Sequence, residues 1–131
     1  MRIVIDTNRL IDLLRGVHEV RDFLEYIDDI FVPYICLAEL RAGFLLSKTS
    51  AAQERLLQQF LNEAGVKPLY PDESTTHHYA RLYAQLRKQG TPIGLNDIWI
   101  AALTLQHNLL LYSRDQDFDN LPQLARVSKR G

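Results

Sequence analysis

Short apolar runs and helical stripes alternate along this chain. The first apolar run, residues 3–5, is continuous and ends at Asp6, a pattern typical of a strand that is buried on both faces. Residues 7–15 carry leucines at helical spacing and are followed by Gly16, a common helix-ending residue, so they predict a helix. The chain therefore opens with a strand that leads directly into a helix.

The same alternation continues to the end of the chain. Pro33 marks an irregularity in the second apolar run, and a capping-box spacing from Ser50 to Gln53 predicts the start of a helix. Alternating strands and helices predict one α/β domain, residues 1–131, built as a three-layer α/β/α sandwich around a central, mainly parallel sheet. The further predicted strands are residues 30–35, 66–70, 109–112 and 125–128, and the further helices are residues 19–29, 37–47, 50–64, 71–89 and 97–107.

Composition narrows the class of protein. A length of 131 residues suits one domain with a real core, and 47% hydrophobic with 24% charged residues is ordinary for a globular protein. No apolar run reaches the length of a membrane span, and the run at residues 3–5 is too short for a signal peptide. Cys36, the single cysteine, has no partner for an internal disulfide. We therefore expect a cytoplasmic protein that does not enter a membrane.

Four acidic residues occupy equivalent places in the predicted fold. Asp6 follows the first strand, Glu39 falls in the first turn of the helix after the second strand, Asp97 takes the first helical position after an Asn96 cap, and Asp115 follows the strand at 109–112. A parallel sheet gathers such positions at one edge. Taken singly, each acid also fits a structural role as a helix cap, a first-turn acid or a turn residue.

Convergence of four acids has a physical consequence. Two carboxylates ~4 Å apart repel each other by about 4 kcal/mol at an effective dielectric constant of 20, so four ionised carboxylates need a cation among them. Mg²⁺ or Mn²⁺ prefers oxygen ligands and commonly works on phosphate esters. The net charge of −1 argues mildly against a nucleic-acid binder, but with four acids committed to a metal site the remaining 15 basic and 12 acidic side chains leave +3.

Four segments carry a resemblance to a known family. The segments DTN (6–8), ELRAG (39–43), NDIWIAA (96–102) and SRDQDF (113–118) together resemble PIN-domain ribonucleases, in particular the VapC toxins of type II toxin–antitoxin modules. The segment GTPIG (90–94) is similar to the VapC group that cleaves tRNA. The chain departs from many relatives at residues 34–36, Tyr-Ile-Cys, where a Ser or Thr is common.

The resemblance implies a site and a mechanism. It implies that Asp6, Asp97 and Asp115 hold Mg²⁺ or Mn²⁺, that Glu39 is a fourth catalytic acid, and that water attacks a phosphodiester to leave a 5′-phosphate. Secondary candidates implied in the same way are Asp117 (a fifth acid or an alternative to Asp115), Ser113, Thr7 and Asn8. The arginines near these acids in sequence fit either substrate phosphates or ion pairs with acids; they are Arg9, Arg15, Arg41 and Arg114.

The resemblance also implies partners. It points to an RNA substrate, with tRNA first, to a VapB-type antitoxin that holds the enzyme inactive, and to a homodimer. Three alternatives stay open at this stage. They are a solitary PIN-domain ribonuclease of RNA processing, a Mg²⁺-dependent phosphatase or receiver domain on a similar sheet, and a non-catalytic binding module. A phosphatase of the haloacid dehalogenase type requires a second Asp at the position of Asn8, and a receiver domain requires paired acids near Asp6.

Overall fold

A four-stranded parallel sheet with six helices around it forms the core of the computed structural model, which describes residues 1–127. The strand order is β3-β2-β1-β4 and every neighbouring pair is parallel, so the predicted α/β sandwich with a mainly parallel sheet is confirmed. The elements are β1 (Arg2–Ile5), α1 (Thr7–Leu14), α2 (His18–Glu25), β2 (Asp29–Pro33), α3 (Tyr34–Leu45), α4 (Ser50–Leu61), β3 (Val66–Leu69), α5 (Glu73–Gln89), α6 (Leu95–Gln106), β4 (Leu110–Tyr112) and a short 3-10 helix (Gln116–Asn120).

The central strand β1 explains why its sequence is continuously apolar. It pairs with β2 on one side and β4 on the other, and the side chains of Ile3, Val4 and Ile5 are completely buried. Burial on both faces removes the polar alternation that a half-exposed strand would show. The carboxyl end of β1 delivers Asp6 to the edge of the sheet, where its backbone N–H donates to the carbonyl of Tyr112 at the end of β4, at 3.0 Å.

The second crossover differs from its prediction. Helix α3 begins at Tyr34, three residues before the predicted start, because Pro33 ends β2 and serves as the residue before the helix with φ −60° and ψ 140°. Glu39 therefore lies in the second turn of α3, and its predicted place in the first turn is wrong. The predicted helix 19–29 ends early, at Glu25, because Asp29 already belongs to β2.

Two predicted helix starts are also wrong in their capping. No side chain caps α4, because the hydroxyl of Thr49 lies 3.1 Å from that of Ser47, so the predicted capping box at Ser50 does not form. Helix α6 starts at Leu95 after Gly94, so Asn96 and Asp97 both lie inside its first turn. A capping box does form at α5, between Asp72 and Thr75. The other predicted elements agree with the observed ones to within one helical turn.

The chain after the 3-10 helix returns to the sheet. The predicted strand at residues 125–128 is reduced to one parallel bridge between Leu111 and Arg126, and Ser128 lies outside the described residues. At the opposite end of the sheet, Gly65 precedes β3 with φ +82°, and a Cβ there would stand 2.4 Å from the carbonyl oxygen of Asp28. Across residues 1–127, we find no helix long and apolar enough to cross a membrane.

Candidate metal and catalytic centre

Asp6 is the most buried acid at the carboxyl edge of the sheet. Its side chain is 3% exposed, and both carboxylate oxygens accept hydrogen bonds. The backbone N–H of Thr7 donates to Oδ1 at 2.7 Å, while the hydroxyl of Ser113 and the amide of Asn8 donate to Oδ2 at 2.6 and 3.2 Å. Burial raises the pKa of Asp6, and the bonds from Ser113 and Thr7 oppose that rise. Asp6 is thus held in a single orientation from three directions.

Three other aspartates converge beside Asp6. Asp97, Asp115 and Asp117 each offer a carboxylate oxygen, and these oxygens all lie within 4.8 Å of one another. Asp97 comes from the first turn of α6, while Asp115 precedes the 3-10 helix and accepts the backbone N–H of Asp117 at 2.9 Å. That bond turns the chain so that both acids of the segment face Asp97. We call Asp97, Asp115 and Asp117 the acidic trio; their spacing suits a shared ion.

The electrostatics of the centre are those of an uncompensated acidic cluster. Partial burial, followed by the negative charges of Asp6, Asp115, Glu39 and Asp117, raises the pKa of Asp97 to about 7. Asp115 and Glu39 also raise the pKa of Asp6. A hard divalent cation prefers such an all-carboxylate donor set and would offset this repulsion, so the residues present fit Mg²⁺ or Mn²⁺. Asp97, Asp115 and Asp117 would hold the ion together with Asp6.

Glu39 reaches the centre from α3, and Thr7 holds it there. The hydroxyl of Thr7 donates to Oε1 of Glu39 at 2.7 Å, so one residue of the first turn of α1 contacts Asp6 through its backbone and Glu39 through its side chain. Glu39 is itself exposed, and this bond leaves its second oxygen without a partner among residues 1–127. A carboxylate in this position can orient a water molecule or accept a proton from it.

Asn8 and Ser113 join the two halves of the centre. Asn8 Nδ2 lies 3.3 Å from Ser113 Oγ, and Asn8 Oδ1 accepts the backbone N–H of Arg114 at 3.4 Å. Ser113 Oγ in turn accepts the backbone N–H of Asp115 at 3.1 Å while donating to Asp6. The hydroxyl therefore fixes Asp6 and the start of the Asp115 segment together.

Three of the four arginines near the acids in sequence are already engaged. Arg114 makes a two-point contact with Asp12, at 3.0 and 3.2 Å, and Arg41 contacts Glu54 in the same way at 2.9 and 3.2 Å. Arg9 lies 3.6 Å from Asp12 and stacks over the ring of Tyr112. The fourth, Arg15, is exposed and has no ion pair within residues 1–127.

Asp12 is a residue that the sequence did not single out. It lies six residues after Asp6 and is nearly buried, with a side chain 14% exposed, between the guanidinium groups of Arg9 and Arg114. Its i, i+3 spacing from Arg9 is visible in sequence, but the contact with Arg114 spans 102 positions and is not. Asp12 therefore fixes the residue that lies between Ser113 and Asp115.

Cys36, at the departure from the family pattern, packs beneath the centre. Its thiol is completely buried and lies 3.7 Å from the carbonyl oxygen of Ile5, and burial raises its pKa. A thiol kept neutral in this way packs like a small apolar side chain.

Comparison with known proteins places this arrangement in context. The family model for the PIN domain matches residues 3–124. Ribonuclease VapC1 of Haemophilus influenzae (strain R2866) is 31% identical over 126 residues, which cover 92% of each chain. VapBC2 from Rickettsia felis, solved bound to a DNA fragment from its promoter, has a TM-score of 0.90 at 25% identity and covers 97% of this chain and 98% of that one. VapBC-1 from nontypeable Haemophilus influenzae has a TM-score of 0.86 at 28% identity, with 98% of each chain covered.

Proposed function

Because the chain belongs to the PIN domain family, and within it to the VapC ribonucleases, we propose that it cleaves RNA with a divalent ion as the toxin of a type II toxin–antitoxin module. The observation that carries this proposal is the convergence of Asp97, Asp115 and Asp117 beside Asp6 and Glu39 at one edge of the sheet. A cluster of five acids without an internal cation is costly unless a metal ion stabilises it. The spacing of the cluster therefore supports a metal-dependent reaction at phosphate.

Asp97, Asp115 and Asp117, with Asp6, are the proposed ligands of Mg²⁺ or Mn²⁺. When bound, such an ion acts as a Lewis acid at a phosphate oxygen and lowers the pKa of a coordinated water. Asp6 contributes an oxygen whose orientation Ser113, Asn8 and the Thr7 backbone determine. These three donors are outer contacts of the kind that tune a ligand without touching the ion themselves.

Glu39 is the proposed proton acceptor. Thr7 holds Oε1, and Glu39 is exposed, so its carboxylate can accept a proton from the attacking water. In-line attack on phosphorus forms the new P–O bond as the bond to the 3′ oxygen breaks, which leaves a 5′-phosphate and, after proton uptake, a 3′-hydroxyl. Among the four arginines, Arg15 is the candidate for contact with the substrate, because it has no ion pair within residues 1–127. The other three would first have to leave their acidic partners; they are Arg9, Arg41 and Arg114.

We also propose a VapB-type antitoxin, a homodimer and a cytoplasmic location. The antitoxin is supported by the similarity of this chain to the solved VapBC complexes. It is also supported by a hollow of about 240 Å³ between α1, α3 and α4, which is lined by Ile11, Leu40 and Phe44 and extends to Glu39. A segment of the antitoxin lying in this hollow would reach the catalytic acid. The VapC family relation makes tRNA the first substrate to test.

The test is cleavage of total tRNA and of a structured rRNA fragment by purified protein free of antitoxin. We expect discrete cuts in Mg²⁺ or Mn²⁺ that disappear in EDTA and in Asp97→Asn, with 5′-phosphate at each new end. A matched control is Asp119→Asn, which removes an exposed acid that is not a member of the trio. Asp119 lies on the 3-10 helix that carries Asp117 and pairs with Arg126, whose other guanidinium N–H donates to the carbonyl of Asp115 at 3.2 Å. Absence of cuts by folded protein, or equal cutting by Asp97→Asn, would contradict the proposal and favour the phosphatase or binding-module alternatives.

A second experiment separates a toxin from a solitary PIN-domain ribonuclease. Co-expression with the product of the adjacent open reading frame should give a stable complex that does not cut RNA. If the neighbouring product neither binds nor inhibits, the nuclease stands without the toxin–antitoxin role.

A further inference from the structure

Beyond Glu73 in its first turn, the solvent-exposed side of α5 carries positive charge and no negative charge. From residue 74 to residue 90 the sequence contains no aspartate or glutamate, but it contains Arg81, Arg87 and Lys88, all exposed. No ion pair involves any of the three within residues 1–127. The buried side of the helix is formed by other residues, Leu82 and Leu86 among them. We call the three cations the α5 basic face.

This face contrasts with the arginines beside the acidic centre. Arg41 and Arg114 each spend two N–H groups on a carboxylate, and Arg9 is covered by Tyr112 and paired with Asp12. A guanidinium that already has a two-point carboxylate contact gains little from a phosphate, since one ion pair must break for the other to form. Seven exposed cations have no ion pair within residues 1–127, and three of them lie on α5, more than on any other element. The other four are spread over the rest of the chain: Arg15, Arg21, Lys48 and Arg55.

Helix stability explains only part of the α5 basic face. Arg87 and Lys88 lie in the last turn, where cations complement the helix dipole. Arg81 lies two turns earlier and gains nothing from that effect. A helix face that only needed solvation would also commonly alternate its charges, because i, i+4 pairs of opposite sign stabilise it. The absence of any acid along four turns is therefore a feature that solvation does not require.

One residue of the α5 basic face, Arg87, lies beside the start of α6, the helix that carries Asp97. Helix α5 ends at Gln89, and after five intervening residues α6 begins with the turn that carries Asp97. Between the two helices lies a hollow of about 230 Å³, lined by Tyr83 and Arg87 from α5 and by Leu95 and Ile98 on either side of Asp97. Arg87 lies over the Tyr83 ring and donates to its hydroxyl at 2.9 Å, which leaves a guanidinium at the rim of this hollow.

From this geometry we propose that the α5 basic face binds the sugar–phosphate backbone of the RNA and leads the strand to the acidic centre. This inference rests on the proposed ribonuclease function for the identity of its ligand. Arg81 and Lys88 are seven residues apart on one side of the helix, about 10 Å along its axis, and so contact different phosphates. The exposed residues between them are Tyr83, Ala84 and Arg87, and Gln85 is partly exposed. Tyr83 is 36% exposed, and the guanidinium of Arg87 lies over its ring. The surface therefore presents cations more than an apolar anchor, which suits a polyanion better than a protein partner.

The test is the salt dependence of RNA binding. Fluorescence anisotropy of labelled tRNA is measured in EDTA with full-length protein carrying Asp97→Asn, which cannot cut, and with the same protein carrying Arg81→Gln and Lys88→Gln in addition. The matched control carries Arg21→Gln and Arg55→Gln, two exposed cations on α2 and α4, so that the net charge is identical.

Loss of two phosphate contacts lowers the slope of log K against log salt by about 1.5, because each contact contributes roughly 0.7 to 0.9. We expect this drop in the α5 variant together with about tenfold weaker binding at low salt, and less than a twofold change in the control. In the cleaving protein, the same α5 substitutions should raise KM and leave kcat unchanged.

Several results would overturn the inference. Equal weakening in both double variants would mean that only net charge matters, and no weakening in either would mean that RNA does not touch α5. No RNA binding by the parent protein, or loss of antitoxin binding with RNA binding intact, would contradict it as well.

If α5 variants bind and cut like wild type, the inference fails while the nuclease stands. If RNA binding depends on α5 but the wild type never cuts, the nuclease fails while this inference stands.

Discussion

Replacing Asp97 with asparagine should stabilise the metal-free protein in a pH-dependent way. Burial and the neighbouring acids raise the pKa of Asp97 from 3.8 to about 7 in the folded state. Between about pH 4 and 7 the unfolded chain carries Asp97 mainly ionised, whereas the folded protein still keeps it mainly protonated. The free energy of unfolding therefore falls as pH rises through this range, and the loss is constant above it. Asparagine has nearly the same shape and carries no charge, so it removes this loss.

The size of this effect follows from the shift. A difference of about 3 pKa units corresponds to about 4 kcal/mol at 1.36 kcal/mol per unit. Asp97 is only partly buried, so solvent screening reduces this to about 2 kcal/mol at pH 8. By pH 4.5, Asp97 is close to neutral in the folded protein and only partly ionised in the unfolded chain, so most of the gain disappears.

Urea unfolding in EDTA, followed by the fluorescence of Trp99, measures this difference at pH 8 and pH 4.5. We expect Asp97→Asn to gain about 2 kcal/mol at pH 8 and less than about 1 kcal/mol at pH 4.5. The exposed control Asp119→Asn should gain nothing at either pH. A loss of stability in Asp97→Asn, or the same gain at both pH values, would refute the account of the acidic centre as a set of mutually repelling carboxylates.

Two other substitutions test the support of the centre and of the sheet. Ser113→Ala removes the hydroxyl that donates to Asp6, so the cleavage rate should fall about tenfold with a loss of about 1 kcal/mol in stability. Ser113→Thr should restore the rate, and a purely structural role would leave kcat unchanged in both. Gly65→Ala places a Cβ against the carbonyl of Asp28 at positive φ, so urea unfolding should show a loss of about 2 kcal/mol or more. Gly43→Ala, in open space on α3, should instead be neutral or slightly stabilising; equal effects at the two glycines would contradict the packing described at Gly65.

The sheet and the placement of Asp6 could be predicted because local sequence determines both. A continuous apolar run can only be a buried segment, and the helix that follows sends the chain back across the sheet. The error at Glu39 arose at Pro33, whose fixed φ fits either an irregular strand or the residue before a helix. The structure has the second arrangement, and the helix starts three residues earlier than periodicity alone suggested.

Whether Asp115 and Asp117 both face Asp97 could not be predicted from sequence, which left Asp117 either as a fifth acid or as an alternative to Asp115. The two acids are two positions apart, a spacing that places side chains on the same face of a strand but about 120° apart around a 3-10 helix, so the spacing alone does not decide whether both can meet a third acid. The backbone N–H of Asp117 bonds to the carboxylate of Asp115, and this bond turns both toward Asp97. The sequence also could not show which arginines form ion pairs, because the contact between Asp12 and Arg114 joins residues 102 positions apart.

The most direct test of the proposed metal centre is a Mn²⁺ titration that records bound ion and RNA cleavage in the same samples. Electron paramagnetic resonance reports free Mn²⁺, and gel analysis of the tRNA substrate reports cutting. We expect wild type and Asp119→Asn to bind Mn²⁺ and to gain activity with the same midpoint, and Asp97→Asn to lose both. Mn²⁺ binding by Asp97→Asn with wild-type affinity, or cleavage by wild type at full rate without bound ion, would contradict a divalent ion held by Asp97, Asp115 and Asp117.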